Sequence, residues 1–252
     1  MGKHRQNGFT LVELMIALLI GLFLLGGMSM LVFDNKRTFG SQNALAQLQD
    51  NQRLAMSVMT DVIQTTGYFP NPSRNTALGL LGAGSGMVAG QAITGVDGAG
   101  PTGSTITVRY ATQPNDGILD CSGSTNQSGG VGQDINVFSV QVNGGVSQLV
   151  CTLTSTAVAN QQYVLVNNVS RLDVQYGVNS AGTANNVDCY MTAAQVTANN
   201  DWNNVISVRL TITFLNPLSP LNGNTSPGMG SQPQFISVKR TIALLGKAGI
   251  SS

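Results

Sequence analysis

The chain predicts an α+β fold in which one long N-terminal helix, its first half membrane-spanning, packs on an antiparallel β-sheet. Three observations lead there. Residues 9–33 form an apolar run broken by a single charge, Glu13. An amphipathic helical pattern then continues without a proline to residue 66. From residue 104 the hydrophobic period changes to two, in several runs with no helical pattern between them.

Composition narrows the function classes first. Only 9% of the 252 residues are charged, against roughly 25% in an ordinary soluble domain. The formal net charge of +1 offers no electrostatic footprint for nucleic acid. A hydrophobic share of 42% is enough to build a core. The only imidazole is His4. Zinc clusters and His-based catalysis therefore lack their ligands and bases, and neither an enzyme nor a cofactor is expected.

The first element is the apolar run, FTLVELMIALLIGLFLLGGMSMLVF. As a helix it would rise about 37 Å, enough to cross a bilayer core of roughly 30 Å with some tilt. Lys3 and Arg5 precede it, and Asp34, Lys36 and Arg37 follow it. Because Asp counts little in the positive-inside rule, this mildly favours a cytoplasmic N-terminus. The run is too long for a secretory signal peptide. On hydropathy alone a plain single-span anchor stays open, and Glu13 argues for more. A carboxylate in a bilayer costs on the order of 2.5–3.5 kcal/mol and needs a partner. The span itself supplies no Lys, Arg or His.

Gly8-Phe9-Thr10-Leu11-Val12-Glu13, after a short basic leader, resembles the type III signal of type IV pilins and pseudopilins. The resemblance implies that residues 1–8 are a leader removed by a prepilin peptidase between Gly8 and Phe9. It implies that Phe9 is then N-methylated. It also gives Glu13, as the fifth residue of the mature chain, the N-terminal amine of a neighbouring subunit as its partner in assembly. Loss of Lys3 and Arg5 would leave ten basic side chains against eleven acidic ones, and no His.

The second element is the continuation of the helix. Leu45, Leu48, Gln52, Ala55, Met59 and Val62 follow a 3-4 spacing, widened by Met56 and Ile63. A helix over residues 9–66 would be about 87 Å long. Its lower half (9–33) is apolar all round and its upper half (34–66) amphipathic, which suits a rod packed on a head of residues 67–252. Gly67, Pro70 and Pro72 end it. Gly21, Gly26 and Gly27 are either points of bending or close packing, or ordinary span glycines. Residues 67–103, rich in Gly, Ala and Ser, read as a long irregular connection. Met87 stands where a G-x-G-x-x-G loop would need its last glycine.

Strands follow. Ile106, Val108 and Tyr110 alternate, and runs 135–142 and 146–153 flank Asn143-Gly144-Gly145, a hairpin signal. Further strands are expected at 163–166, 169–176, 205–214 and 235–241, the last continuing towards Leu245. In the 205–214 run, Ile206, Val208, Leu210, Ile212 and Phe214 share one face, with Arg209 and Thr211 on the other. Residues 215–234 read as an exposed loop. Cys121, Cys151 and Cys189 all fall in the head, where an oxidising compartment makes one disulfide and leaves one thiol. Three pairings are open, and Cys121–Cys151, a loop cysteine tied to a strand, is favoured. Asp116, Asp120 and Asp134 sit in a Gly-rich stretch, but their spacing does not match an EF-hand loop. They could hold Ca²⁺, and the favoured reading is solvated turn residues.

Beyond the leader, LQDNQRLA at 48–55 with Thr66-Gly67-Tyr68, and LVNNVSRLDVQYGV at 165–178, resemble the minor pilin PilW family. Phe69 departs from that pattern, standing where a Gly-Cys pair is expected, and Cys189 fills a position often basic. The resemblance implies a minor pilin that joins other minor pilins and the major pilin and primes pilus assembly. It would sit in a tip complex with a PilY-type adhesin. The protein would lie in the inner membrane, as a single-pass subunit against the assembly platform, and later in the fibre at the cell surface. A minor pseudopilin of type II secretion is the alternative, sharing leader, Glu13 and helix.

Overall fold

The computed structural model describes Gly8 and residues 10–180, 186–220 and 232–246. It opens with helix α1, Leu11–Gln64, 54 residues and about 81 Å long. Thr10 is extended, and its hydroxyl accepts the Glu13 N–H at 3.3 Å, so the helix starts on an N-cap. Its upper half buries Leu48, Ala55, Met56, Met59, Val62 and Ile63, the stripe expected from the spacing. Leu45 and Gln52 are half-buried where the contact tapers. Gly67, at φ 81°, turns the chain out of the helix.

Two short elements interrupt the stretch read as irregular: helix α2, Ala77–Leu80, and strand β1, Ile93–Val96. Then come β2 (Thr105–Thr112), β3 (Gly132–Asn143), β4 (Val146–Thr154), β5 (Gln161–Asn167) and β6 (Val169–Val178). The chain continues through β7 (Cys189–Met191), helix α3 (Ala193–Ala198), β8 (Val205–Leu215) and β9 (Phe235–Ala243). All strand pairs are antiparallel, in two sheets and not one: β1-β2-β3-β4-β5 and β7-β6-β8-β9. The division falls at Asn168. Its left-handed φ of 61° swings the chain off the β4 edge, and β6 then lies across the faces of β2, β3 and β4. The expected hairpin is present, with Gly144 and Gly145 both at positive φ between β3 and β4.

The α1 stripe meets β5 and β9, one edge strand from each sheet, and a single core joins helix and both sheets. Val208, Leu210, Ile212 and Phe214 are buried as expected. Ile206 is only half-buried, because a bulge opposite Gly177 and Val178 puts Val205 and Ser207 inward.

The exit of α1 is fastened on both sides. Gly67 N–H donates to Arg109 O at 3.0 Å, and Ala111 N–H to Tyr68 O at 2.8 Å, on β2. From beyond β9, Leu245 and Gly246 N–H groups reach Gln64 O at 3.0 and 3.3 Å. Gly103 (φ 82°) hooks the start of β2 onto β6, so close that a Cβ there would lie 2.1 Å from Leu172 O.

Arg109 organises the 77–92 excursion. Fully buried, it donates Nε to Gln91 O (2.7 Å), Nη1 to Gly82 O (2.6 Å) and Nη2 to Val88 O (2.7 Å), with a longer bond to Leu81 O (3.4 Å). All of these are backbone carbonyls. Burial pulls the guanidinium pKa down from its ordinary value.

Candidate functional site

The segment with an evident task is the lower half of α1. Every large apolar side chain from Leu11 to Phe33 is at least 53% exposed, all round the helix. No part of its most apolar 18-residue window is buried within the chain. Ser29 and Thr38 return their hydroxyls to Leu25 O (2.8 Å) and Asp34 O (2.9 Å), so neither hydroxyl needs water. Such a surface is stable only against lipid or against other apolar helices.

Glu13 is exposed in the first turn of this helix, where the N-terminal dipole favours a carboxylate. No Lys or Arg falls within the apolar segment among the described residues; Lys36 and Arg37 lie beyond its far end. Gly8 is exposed with open space around it, and Thr10 is extended. Gly8, on the leader side of the expected cleavage bond, is thus outside the helix and accessible. Phe9 itself lies outside the described residues. Nothing packs within 4 Å of a Cβ built on Gly21, Gly26 or Gly27.

The family model for the prokaryotic N-terminal methylation motif matches residues 3–29, the leader and the lower helix. The model described as type IV pilus-assembly protein W matches residues 137–242, from within β3 to the end of β9. The chain is a PilW-like type IV pilin. The methylation motif of this PilW-like pilin implies processing by a prepilin peptidase and assembly with other pilins. Its N-terminal apolar helix fits membrane anchoring followed by incorporation into a pilus. Among solved structures, a type IV-like pilin from Thermus thermophilus aligns with 80% of the PilW-like chain and 97% of its own, at 12% identity and a TM-score of 0.40. Among curated proteins, none matches.

In the head of the PilW-like pilin, Cys121 and Cys151 are joined and buried, tying the loop before β3 to β4. Cys189 is a free thiol on β7, half-exposed. The three aspartates are not alike. Asp116 and Asp120 serve their own turns: Asp116 accepts from Gln113 and Ile118 N–H, and Asp120 from Ser122 and Ser124 N–H. Asp134, expected as a solvated turn residue, lies in β3 and is 5% exposed. Burial, and then the charge of Asp120, push its carboxyl up to about 6. Among the described residues no three His, Cys, Asp or Glu side chains gather to hold a metal.

Sequence reasoning missed Arg109, the burial of Asp134 and the α3 corner. Arg109 gave no signal, because its acceptors are main-chain atoms brought in from residues 81–91. The corner did give one. Thr192 and Gln195 form a capping box at the start of α3, readable as T-x-x-Q. Asp97 adds a carboxylate to the Ala193 and Ala194 N–H groups at 3.0 and 2.8 Å.

Proposed function

We propose that this PilW-like chain is a minor pilin of a type IV pilus with a structural and assembly role, acting on no substrate and needing no cofactor. The observation that carries the reading is the methylation motif, which runs from the leader into an exposed apolar half-helix whose only charge is Glu13. In this reading residues 1–8 are the leader and cleavage falls between Gly8 and Phe9. Residues 9–33 hold the protein in the inner membrane with its N-terminus in the cytoplasm. Residues 34–66 carry the head, residues 67–252, outside. Methylated Phe9 and Glu13 then act between subunits, each Glu13 meeting a neighbour's terminal amine as the helices leave lipid for the fibre core. The subunit primes assembly alongside other minor pilins and enters a tip complex with a PilY-type adhesin.

The test is a pull-down of the detergent-solubilised, processed protein with identification of its co-assembled partners. Minor pilins and a large PilY-type protein are expected. Recovery of secretion-system pseudopilins instead would assign the chain to type II secretion, which shares leader, Glu13 and helix.

A further inference from the structure

Asp134 is nearly enclosed, and the hydrogen bond it accepts from the Thr112 hydroxyl is long, at 3.5 Å. It lines a cavity of about 170 Å³ with Asp120, Tyr163 and the hydroxyl and amide side chains of residues 122–127. Among the described residues no Lys or Arg lines that cavity. The groups facing Asp134 are Tyr110 and Thr112 from β2, Asp116 and Asp120 from the loop before β3, and Tyr163 from β5. The one cation on the neighbouring strand, Arg109, is committed to the 81–91 carbonyls. Asp120 is 9% exposed, and three donors from Ser122 and Ser124 converge on its Oδ1. Two buried carboxylates therefore share one cavity without a counter-charge, an arrangement that favours a proton on one of them.

Leu153 and residues 155–158 also line the cavity, and along it runs the loop 122–131, which contributes Ser122 and residues 124–127. Its root is fixed by the Cys121–Cys151 disulfide and by the Cys121 N–H bond to Asn136 Oδ1 (3.0 Å). Its far part is held more lightly, with the Asn126 amide donating to Thr112 O (2.9 Å) and to Gly130 O (3.1 Å). Gly123 and Gly129, both at positive φ, bound it.

We propose that residues 122–131 form a proton-latched strap, closed over β3 while Asp134 is protonated and loosened when Asp134 ionises beside Asp120. Opening admits water to both carboxylates, which screens the repulsion between them, while the disulfide keeps the root in place. The sign follows from proton binding. The closed form holds its proton up to about pH 6, whereas an open, solvated Asp releases it near 4. Closure is strongest below the ordinary Asp range, weakens as pH rises towards 6, and is flat above that. Between pH 4 and pH 7 the opening equilibrium should rise on the order of fifty-fold.

The test is amide hydrogen exchange on the full chain in detergent micelles, from pH 4 to pH 7, with rates corrected for the intrinsic pH dependence. Wild type should lose protection in 122–131 by about that factor, with little change in β3 and β4. Asp134→Asn should keep acid-level protection at every pH. Asp120→Asn keeps the Oδ1 acceptor of the turn but removes the facing charge, and should shrink the change several-fold. A flat wild-type profile, an Asp134→Asn profile like wild type, or an Asp120→Asn profile with the full change would each overturn the proposal. So would loss of protection on adding EDTA at neutral pH, since a metal and not a proton would then neutralise the pair.

Discussion

Replacing Arg109 by Met should release the 77–92 excursion while leaving both sheets folded. The three well-made bonds, at 2.6–2.7 Å, join a cation to carbonyls of Gln91, Gly82 and Val88. Each such bond is worth ~1.5–3 kcal/mol, because the donor is charged and the acceptor would otherwise be stranded. Relief of the guanidinium's desolvation offsets part of the sum, leaving a net loss of about 3–5 kcal/mol if the excursion stays in place. It has a way out. Detaching hydrates the carbonyls at the expense of the small cluster of Leu81 with Phe69, Ala92 and Ala111, of which the Leu81 side chain accounts for about 1.5–3 kcal/mol. Local opening is thus the less costly response. Exchange protection across 81–92 should fall about a hundredfold, equivalent to ~2.7 kcal/mol, while the urea midpoint of the sheets moves far less. Arg109→Lys should behave like Met, since one ammonium cannot span carbonyls placed around a fork. Protection in Arg109→Met within threefold of wild type, or full rescue by Lys, would refute this account of the excursion.

Four further outcomes are expected. Intact-mass measurement on assembled fibres should show a chain beginning at N-methylated Phe9, and a bulkier residue at Gly8 should leave the precursor in the inner membrane. Glu13→Gln should be cleaved and methylated but enter fibres at a reduced level; incorporation equal to wild type would remove the charge-pair role. Thiol counting on denatured, unreduced protein should give one per chain, from Cys189; three would contradict the disulfide. Gly103→Ala, strained at φ 82° and clashing with Leu172 O, should cost about 2–4 kcal/mol in urea denaturation.

How legible each part was depended on how local its cause is. The α1 stripe and the run from Val208 to Phe214 could be read because period and burial coincide over many residues. The prepilin signal could be read because peptidase and membrane meet it as a linear segment. β3 shows the limit. Its inward side chains are Asp134, Asn136, Phe138 and Val140, with Ile135 and Val137 turned to the other face, so hydrophobicity in its first half runs against its burial. Asn136 can occupy the core because it donates to Tyr110 Oη (3.2 Å) and accepts from Cys121 N–H, partners that only the tertiary fold supplies. β1, β7 and α3 are too short to show a period. The split into two sheets turns on the single backbone angle of Asn168, whose neighbours read simply as two strands.

The stitching at the top of α1 also governs how the head bears force. Tension along the helix axis does not arrive at one strand to be unzipped bond by bond. It divides at Gln64–Tyr68 between the β2 main chain on one side and the segment leaving β9 on the other, so both sheets share the load at the point of attachment. With Gly103 and Ser104 also hooking the two sheets together, the head is anchored as a unit. A pull on the rod is resisted by many hydrogen bonds at once, and the mechanical weak points are left at its margins, in the 77–92 excursion and the strap over β3.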